Sequence, residues 1–304
     1  MNSPALLGVE RSVLGRPWRE RPCDERLARA LSQTLDVPEL LGRVLAARGV
    51  GLDEGAQYLS PTLRDLMPDP STLRDMDRAS ERLADAVIAG EGIAVFGDYD
   101  VDGATSAALL VRFFRAAGCE IALYVPDRLK EGYGPNAAAL LKLADAGARV
   151  VVTVDCGTLA FEALEAAAQA GIDTIVVDHH IAEPKLPRAH AIVNPNRLDG
   201  TGALSQLAAV GVVFLLVVAV NRRLRDAGWY ASRQEPAPMQ WLDLVALGTV
   251  CDVVPLTGLN RAFVAQGLKV MAQRTNAGLA ALADVAGTEE RPSAYLAGFV
   301  LGPR

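Results

Sequence analysis

Three short stretches concentrate side chains able to hold a metal ion or move a proton. Asp98, Asp100 and Asp102 alternate in FGDYDVDG, Asp155 stands in VTVDCG, and Asp178, His179 and His180 are consecutive in VVDHH. Each stretch follows an apolar run of β-forming residues. An extended backbone would project the carboxylates at i, i+2 and i+4 toward one side. Burying even one unpaired carboxylate is costly, so a cation is the simplest reason to gather three. Mixed carboxylate and imidazole donors suit a transition metal. Asp252, in GTVCDVVP, would complete the set if its turn folds back over the strands. Taken singly, each feature has a plainer reading: a solvated acidic turn, a hydrogen-bonded histidine pair, a turn cap at Asp252. His190, isolated before AIVNP, reads as structural, and Cys156 and Cys251 as small buried fillers.

Other chemistries are excluded by pattern. D-x-D-x-D-G opens a calcium loop, but the twelfth position is Leu109 and the preceding run is β-type. Gly103 reads as the turn that starts the next helix, whose N-terminus would favour a phosphate. The chain has no Walker A, G-x-G-x-x-G, H-E-x-x-H or G-x-S-x-G sequence.

The elements that must carry these residues alternate. From Ile93 the runs IAVFGDYD, IALYVP, RVVVTVD and IDTIVVD are separated by the Ala/Leu-rich stretches GATSAALLVRFFRAAG, PNAAALLKLADAG and TLAFEALEAAAQAG. That order predicts an α/β fold, a parallel sheet with helices on both faces. Ligands of such sheets bind outside the carboxyl ends of the strands, so three ends bearing ligand-type residues predict one convergent site. Residues 1–89 read as a helical N-terminal segment packing on the core, broken by Pro38, Pro61, Pro68 and Pro70 and closed by an amphipathic helix over Asp75–Gly90. Residues 90–304 read as the domain that carries the chemistry. The apolar run Leu207–Val220 falls short of the roughly 18 residues of a membrane span and predicts a buried helix.

The 304 residues are 51% hydrophobic and 22% charged, with a formal charge of −6, which argues against gripping nucleic acid through global positive charge but leaves room for a basic groove. Four scattered cysteines without a C-x-x-C pair exclude a zinc ribbon and a disulfide framework. The N-terminus lacks the order of a signal peptide, so a cytoplasmic location is expected.

DYDVDG, VDCG, the literal DHH at 178–180 and GTVCDVVP resemble, in order, the four motifs of the DHH phosphoesterases. FGDYDVDGATS, VPDRLKEGYGPN, IVNPNR, GTVCDVVPLTGLNR and GFVLGPR are similar to the RecJ-type branch in particular, and the likeness extends to LSPTLRDLMPDP and DMDRA. The resemblance implies two divalent ions, Mn2+ or Mg2+, held by Asp98, Asp100, Asp102, Asp155, His179 and Asp252. It further implies that Asp155 bridges the ions, that His180 faces the scissile phosphate, and that Asp178 fixes an imidazole. By the same likeness the activity is 5′→3′ hydrolysis of single-stranded DNA to mononucleotides in repair and recombination. Single-strand-binding protein and a helicase would be partners, and no membrane would be involved. Arg128, Lys130 and Arg197 stand near strand ends as candidates for contact with the DNA backbone, or as solvated charges. RecJ-like chains continue past GPR into a DHHA1-like domain and an OB fold, which this sequence is expected to lack. ALSQLAAVGVVF departs from the Cys-Gly turn of many relatives, leaving that loop's contacts open. Two other functions share these residues: hydrolysis of short oligonucleotides, cyclic dinucleotides or polyphosphate, and a non-catalytic replication or repair scaffold.

Overall fold

A computed structural model describes residues 5–288 and 290–304. The chain divides into two compact units, Met1–Pro61 and Thr62–Arg304. In the first, helices α1 (Glu25–Leu35), α2 (Glu39–Ala47) and α3 (Leu52–Leu59) enclose Leu31, Leu45 and Val50. Asp24 caps α1 by accepting from the N–H groups of Arg26 and Leu27. At Gly42 a Cβ would lie 2.3 Å from the Ala28 carbonyl oxygen, so only glycine allows α1 and α2 to meet this closely.

The second unit begins with a one-turn helix, α4 (Leu63–Leu66), and the amphipathic α5 (Met76–Ala89), which ends at the left-handed Gly90. Five strands follow in chain order: β1 (Gly92–Gly97), β2 (Ile121–Tyr124), β3 (Ala148–Val154), β4 (Asp173–Val177) and β5 (Ala191–Val193). All pair in parallel, in the order β2-β1-β3-β4-β5. Helices α6 (Val101–Ala116), α7 (Ala137–Asp145) and α8 (Phe161–Gln169) make the crossovers.

Both faces of the sheet are covered. On one, Val95, Val152 and Val177 pack in a core with Phe113, Phe214 and Phe263 from α6, α9 (Ala209–Asp226) and α11 (Gly258–Met271). On the other, Phe96, Val151 and Val176 meet Leu140 of α7 and Leu164 of α8. Two-sided burial is why the strands read as uninterrupted Val/Ile runs. Helix α9 is buried along most of its length, and among the described residues no helix is long and apolar enough to cross a membrane. Its basic last turns are bound locally: Arg222 to Asp69, Arg223 to Asp77 and Arg225 to Glu235. Helix α10 (Leu242–Cys251) starts after a 3-10 turn and delivers Asp252 at its C-terminus.

Register turns this topology into a site. Gly97 pairs with Val154, Val154 with Val177 and Val177 with Val193, so four strands end level. The residues that follow are Asp98, Asp155, Asp178 and Asn194, one row at the carboxyl edge. The ladder continues into that row, because Asp98 N–H donates to the Val154 carbonyl, Asp155 N–H to Val177 and Asp178 N–H to Val193. The row lies where the order switches, between β1 and β3, and extends to β5.

Candidate metal centre

Three sets of ligating atoms converge here, each within 4.8 Å: Asp98, Asp100 and Asp155; Asp155, His179 and His180; Asp102, His179 and Asp252. Asp155 belongs to the first two and His179 to the last two, so the sets form one continuous centre. His179 lies between two carboxylates, with Nε2 3.3 Å from Asp155 Oδ1 and Nδ1 3.6 Å from Asp252 Oδ2. Asp155 Oδ1, His179 Nε2 and Asp252 Oδ2 are all buried without a hydrogen-bond partner. Such atoms are expensive to leave unsatisfied. Asp155 and Asp252 fall in different sets that share His179, so divalent cations in these overlapping sets would satisfy the orphaned atoms, and the carboxylate and imidazole donors fit them.

Electrostatics separates the carboxylates. Burial, with Asp100 alongside, pushes the Asp155 carboxyl up to about 9. Burial likewise raises Asp98 and Asp252, and together with Asp155 and Asp252 it drives Asp102 well above the usual range. Asp178 is also buried, which alone would raise it, but hydrogen bonds from His180 and Thr158 hold it below that range. Asp178 Oδ1 accepts the N–H groups of His179 and His180 at 2.8 and 3.2 Å and lies 2.7 Å from His180 Nδ1. Thr158 N–H donates to its other oxygen at 3.0 Å. Asp178 therefore fixes the His180 ring, raises its pKa through that hydrogen bond, and leaves Nε2 facing outward.

Local backbone explains how Asp155 reaches the centre. Its φ is +61°, a left-handed conformation that Asp tolerates better than most residues. The turn is pinned by Thr153 Oγ1 donating to the Cys156 carbonyl at 3.0 Å and Tyr133 Oη donating to the Asp155 carbonyl at 3.2 Å. Gly157, at φ +115°, is required because a Cβ would lie 2.6 Å from Thr153 Oγ1.

The first acidic cluster departs from its expected geometry. The strand ends at Gly97, and Asp100 caps α6 by accepting from Gly103 N–H at 2.9 Å, so the helix starts at Val101 and includes Gly103. Asp98 and Asp100 thus reach one ligand set from a turn and a helix cap, while Asp102, inside the helix, reaches another, because the cap ends the extended backbone. Asp102 instead accepts from the N–H groups of Ala209 and Val210 at 2.6 and 2.9 Å, capping α9 from another part of the chain. A Cβ at Gly103 would clash with Asp98, 2.6 Å from its carbonyl oxygen, so the glycine serves close packing.

Of the basic candidates, Arg197 needs correction. Its guanidinium, with the side chain 8% exposed, is held by Asp75 and Asp199, each at 2.8 Å, and donates to the Ile192 carbonyl. It braces β5 and is not presented to a substrate. Lys130 is exposed beside Asp127 at 3.1 Å. Arg128 lies over the Tyr99 ring at 5.1 Å, and Tyr99 meets Tyr133 edge-on at 6.4 Å. Sequence reasoning does not single out Tyr133, yet its Oη is 3.5 Å from His180 Nε2. A signal was present, since Tyr133 is flanked by Gly132 and Gly134 in a loop that follows β2 at the same sheet edge.

Comparison with known proteins accords with this geometry. The profile of the DHH family, N-terminal domain, matches residues 92–249. The single-stranded-DNA-specific exonuclease RecJ of Escherichia coli is 41% identical over 274 residues, 88% of this chain and 47% of that protein. The Bacillus subtilis exonuclease of the same name is 32% identical over 288 residues, 94% of this chain and 35% of that protein. The chain thus spans about half or less of the length of these relatives. The crystal structure of RecJ with Mn2+ from Thermus thermophilus matches with a TM-score of 0.74 at 30% identity, over 92% of this chain and 38% of that one. A second structure, exonuclease RecJ bound to manganese, matches with a TM-score of 0.66 at 34% identity, over 76% and 56% of the two chains.

Proposed function

The chain belongs to the DHH family, and from that membership we propose that its second unit is the core of a metal-dependent exonuclease, which hydrolyses single-stranded DNA from the 5′ end to mononucleotides. The observation that carries the reading is the row of three orphaned buried atoms, on Asp155, His179 and Asp252, spread over overlapping ligand sets in a chain so similar to single-strand-specific exonucleases. Mn2+ or Mg2+ would be held by Asp98, Asp100, Asp102, Asp155, His179 and Asp252, with Asp155 and His179 each serving more than one set. Bound there, the ions supply an acidified water and neutralise charge on phosphate oxygens.

The chain's own groups do the rest. Asp178 keeps a proton on His180 Nδ1 and favours the doubly protonated ring, so outward-facing Nε2–H can donate to a phosphate oxygen. Tyr133 Oη, beside that nitrogen, limits the ring's freedom. Arg128, steadied over Tyr99, is placed to meet the strand's backbone. Asp102 keeps the start of α9 against the centre. A role in repair and recombination, a cytoplasmic location, and single-strand-binding protein and helicase as partners belong to the same reading.

The test is product analysis with Mn2+, offering 5′-labelled and 3′-labelled single strands, duplex DNA, dinucleotides and pyrophosphate. Release of labelled mononucleotide first from the 5′-labelled single strand is expected. Preferential turnover of pyrophosphate or dinucleotides would replace the proposal with a small-substrate hydrolase, and binding of single strands without turnover would replace it with a scaffold.

A further inference from the structure

Beyond the ligand-type side chains, asparagine carboxamides tie together the backbone segments that carry them. Asn194, 2% exposed and last in the row at the sheet edge, donates through Nδ2 to the His180 carbonyl at 2.8 Å and to Thr158 Oγ1 at 2.9 Å. Its Oδ1 accepts the N–H of Asn196 at 2.8 Å. Asn196 Nδ2 donates to the His179 carbonyl and, at 3.2 Å, to the Ser205 carbonyl. The segment after Ser205 runs into the Ala209 and Val210 N–H groups that hold Asp102. Fully buried Asn260, in the first turn of α11, donates to the carbonyls of Gln206 and, at 3.1 Å, of Pro255, just beyond Asp252.

We infer that Asn194, Asn196 and Asn260 act as positioning residues, a carboxamide brace that sets the spacing of His179, Asp102 and Asp252. This inference rests on reading the centre as a metal site. The side-chain type follows from the task. One neutral NH2 group can bind two carbonyls, whereas Asp, of the same shape, offers no donor when ionised and Lys would bring a buried charge. Ser205 and Gln206 lie in ALSQLAAVGVVF, so the brace also accounts for that segment's contacts. Ligand atoms must be kept within a few tenths of an ångström to hold an ion, and loss of an outer partner costs about 10–100-fold in metal affinity.

Calorimetric titration of the full chain with MnCl2 tests the brace, with far-UV circular dichroism monitoring the fold. Asn196→Asp is expected to weaken Mn2+ binding about tenfold or more with the spectrum unchanged, and Asn196→Ser, which keeps one donor, to fall between it and wild type. Asn276→Ala removes the cap of α12 (Ala277–Val285) and controls for a general loss of stability, with Mn2+ affinity unchanged. Wild-type affinity in Asn196→Asp overturns the brace alone. Absence of Mn2+ binding in the wild type overturns the metal reading and the brace with it. Should Asn196→Asp fail to fold, Asn196→Ser decides by the same comparison.

Discussion

At the amino end of the sheet, Arg82 of α5 donates to Asp173, the first residue of β4, at 2.7 Å and to Glu91, just before β1. At the carboxyl end of the same strands, Asp155 has Asp100 and Asp178 for neighbours, and Asp102 has Asp155 and Asp252. One end spreads its acids against a guanidinium, as a surface selected for stability does. The other crowds buried carboxyl groups together and leaves polar atoms orphaned, which no folding requirement explains. The contrast teaches where stability has been given up for chemistry.

The sharpest way to break that contrast is at Asp155. Asp155→Asn should abolish Mn2+ binding and lower exonuclease rate by on the order of 10^3 or more, while the metal-free variant melts no lower than wild type near neutral pH because Asn removes the cost of keeping a buried carboxyl protonated. A variant that keeps Mn2+ affinity would show that the acids gather for some other reason.

Next in size is Asp102→Ala, which leaves two N–H groups of α9 without their acceptor. A loss of about 2 kcal/mol in chemical denaturation is expected, larger than for a surface aspartate. An unchanged midpoint would mean that the capping bonds contribute little.

A pH series sharpens the comparison without mutation. Folded Asp155 keeps its proton up to about 9, whereas in the unfolded chain it titrates near 3.8. The folded state therefore binds more protons between those values, and this contribution to stability is lost as pH rises. The metal-free protein should melt at a lower temperature at about pH 8.5 than at about pH 6.5, and Mn2+ should reverse the trend. A melting temperature that rises with pH would contradict the assignment. Smallest of all, Arg82→Ala at the opposite end should cost on the order of 1 kcal/mol and leave turnover within about twofold; a large loss of activity would mean that the two ends are not independent.

The first four strands and the three crossover helices were legible because two-sided burial writes itself as continuous Val/Ile runs, and the convergence of Asp155 with His179 followed from both standing at strand ends. What escaped depends on partners remote in the chain. Asp102 reads as part of an extended acidic run until Ala209 and Val210 supply the N–H groups it caps. Arg197 reads as free until Asp75 claims it. Asn196 carries no chemical signal, since its work is to bind carbonyls that sequence does not place.

The left-handed backbone at Asp155 has a consequence for exchange at that position. Two demands fall on one residue: a main chain that few side chains accept, and an anionic oxygen at short reach. Asn answers the first without the charge. Glu answers the charge, but with one methylene more and a poorer fit to positive φ. Glycine removes the strain and the ligand together. Asp155 therefore has no conservative replacement, and on the metal reading proposed above a chain with another residue there is expected to keep the shape and lose Mn2+ binding.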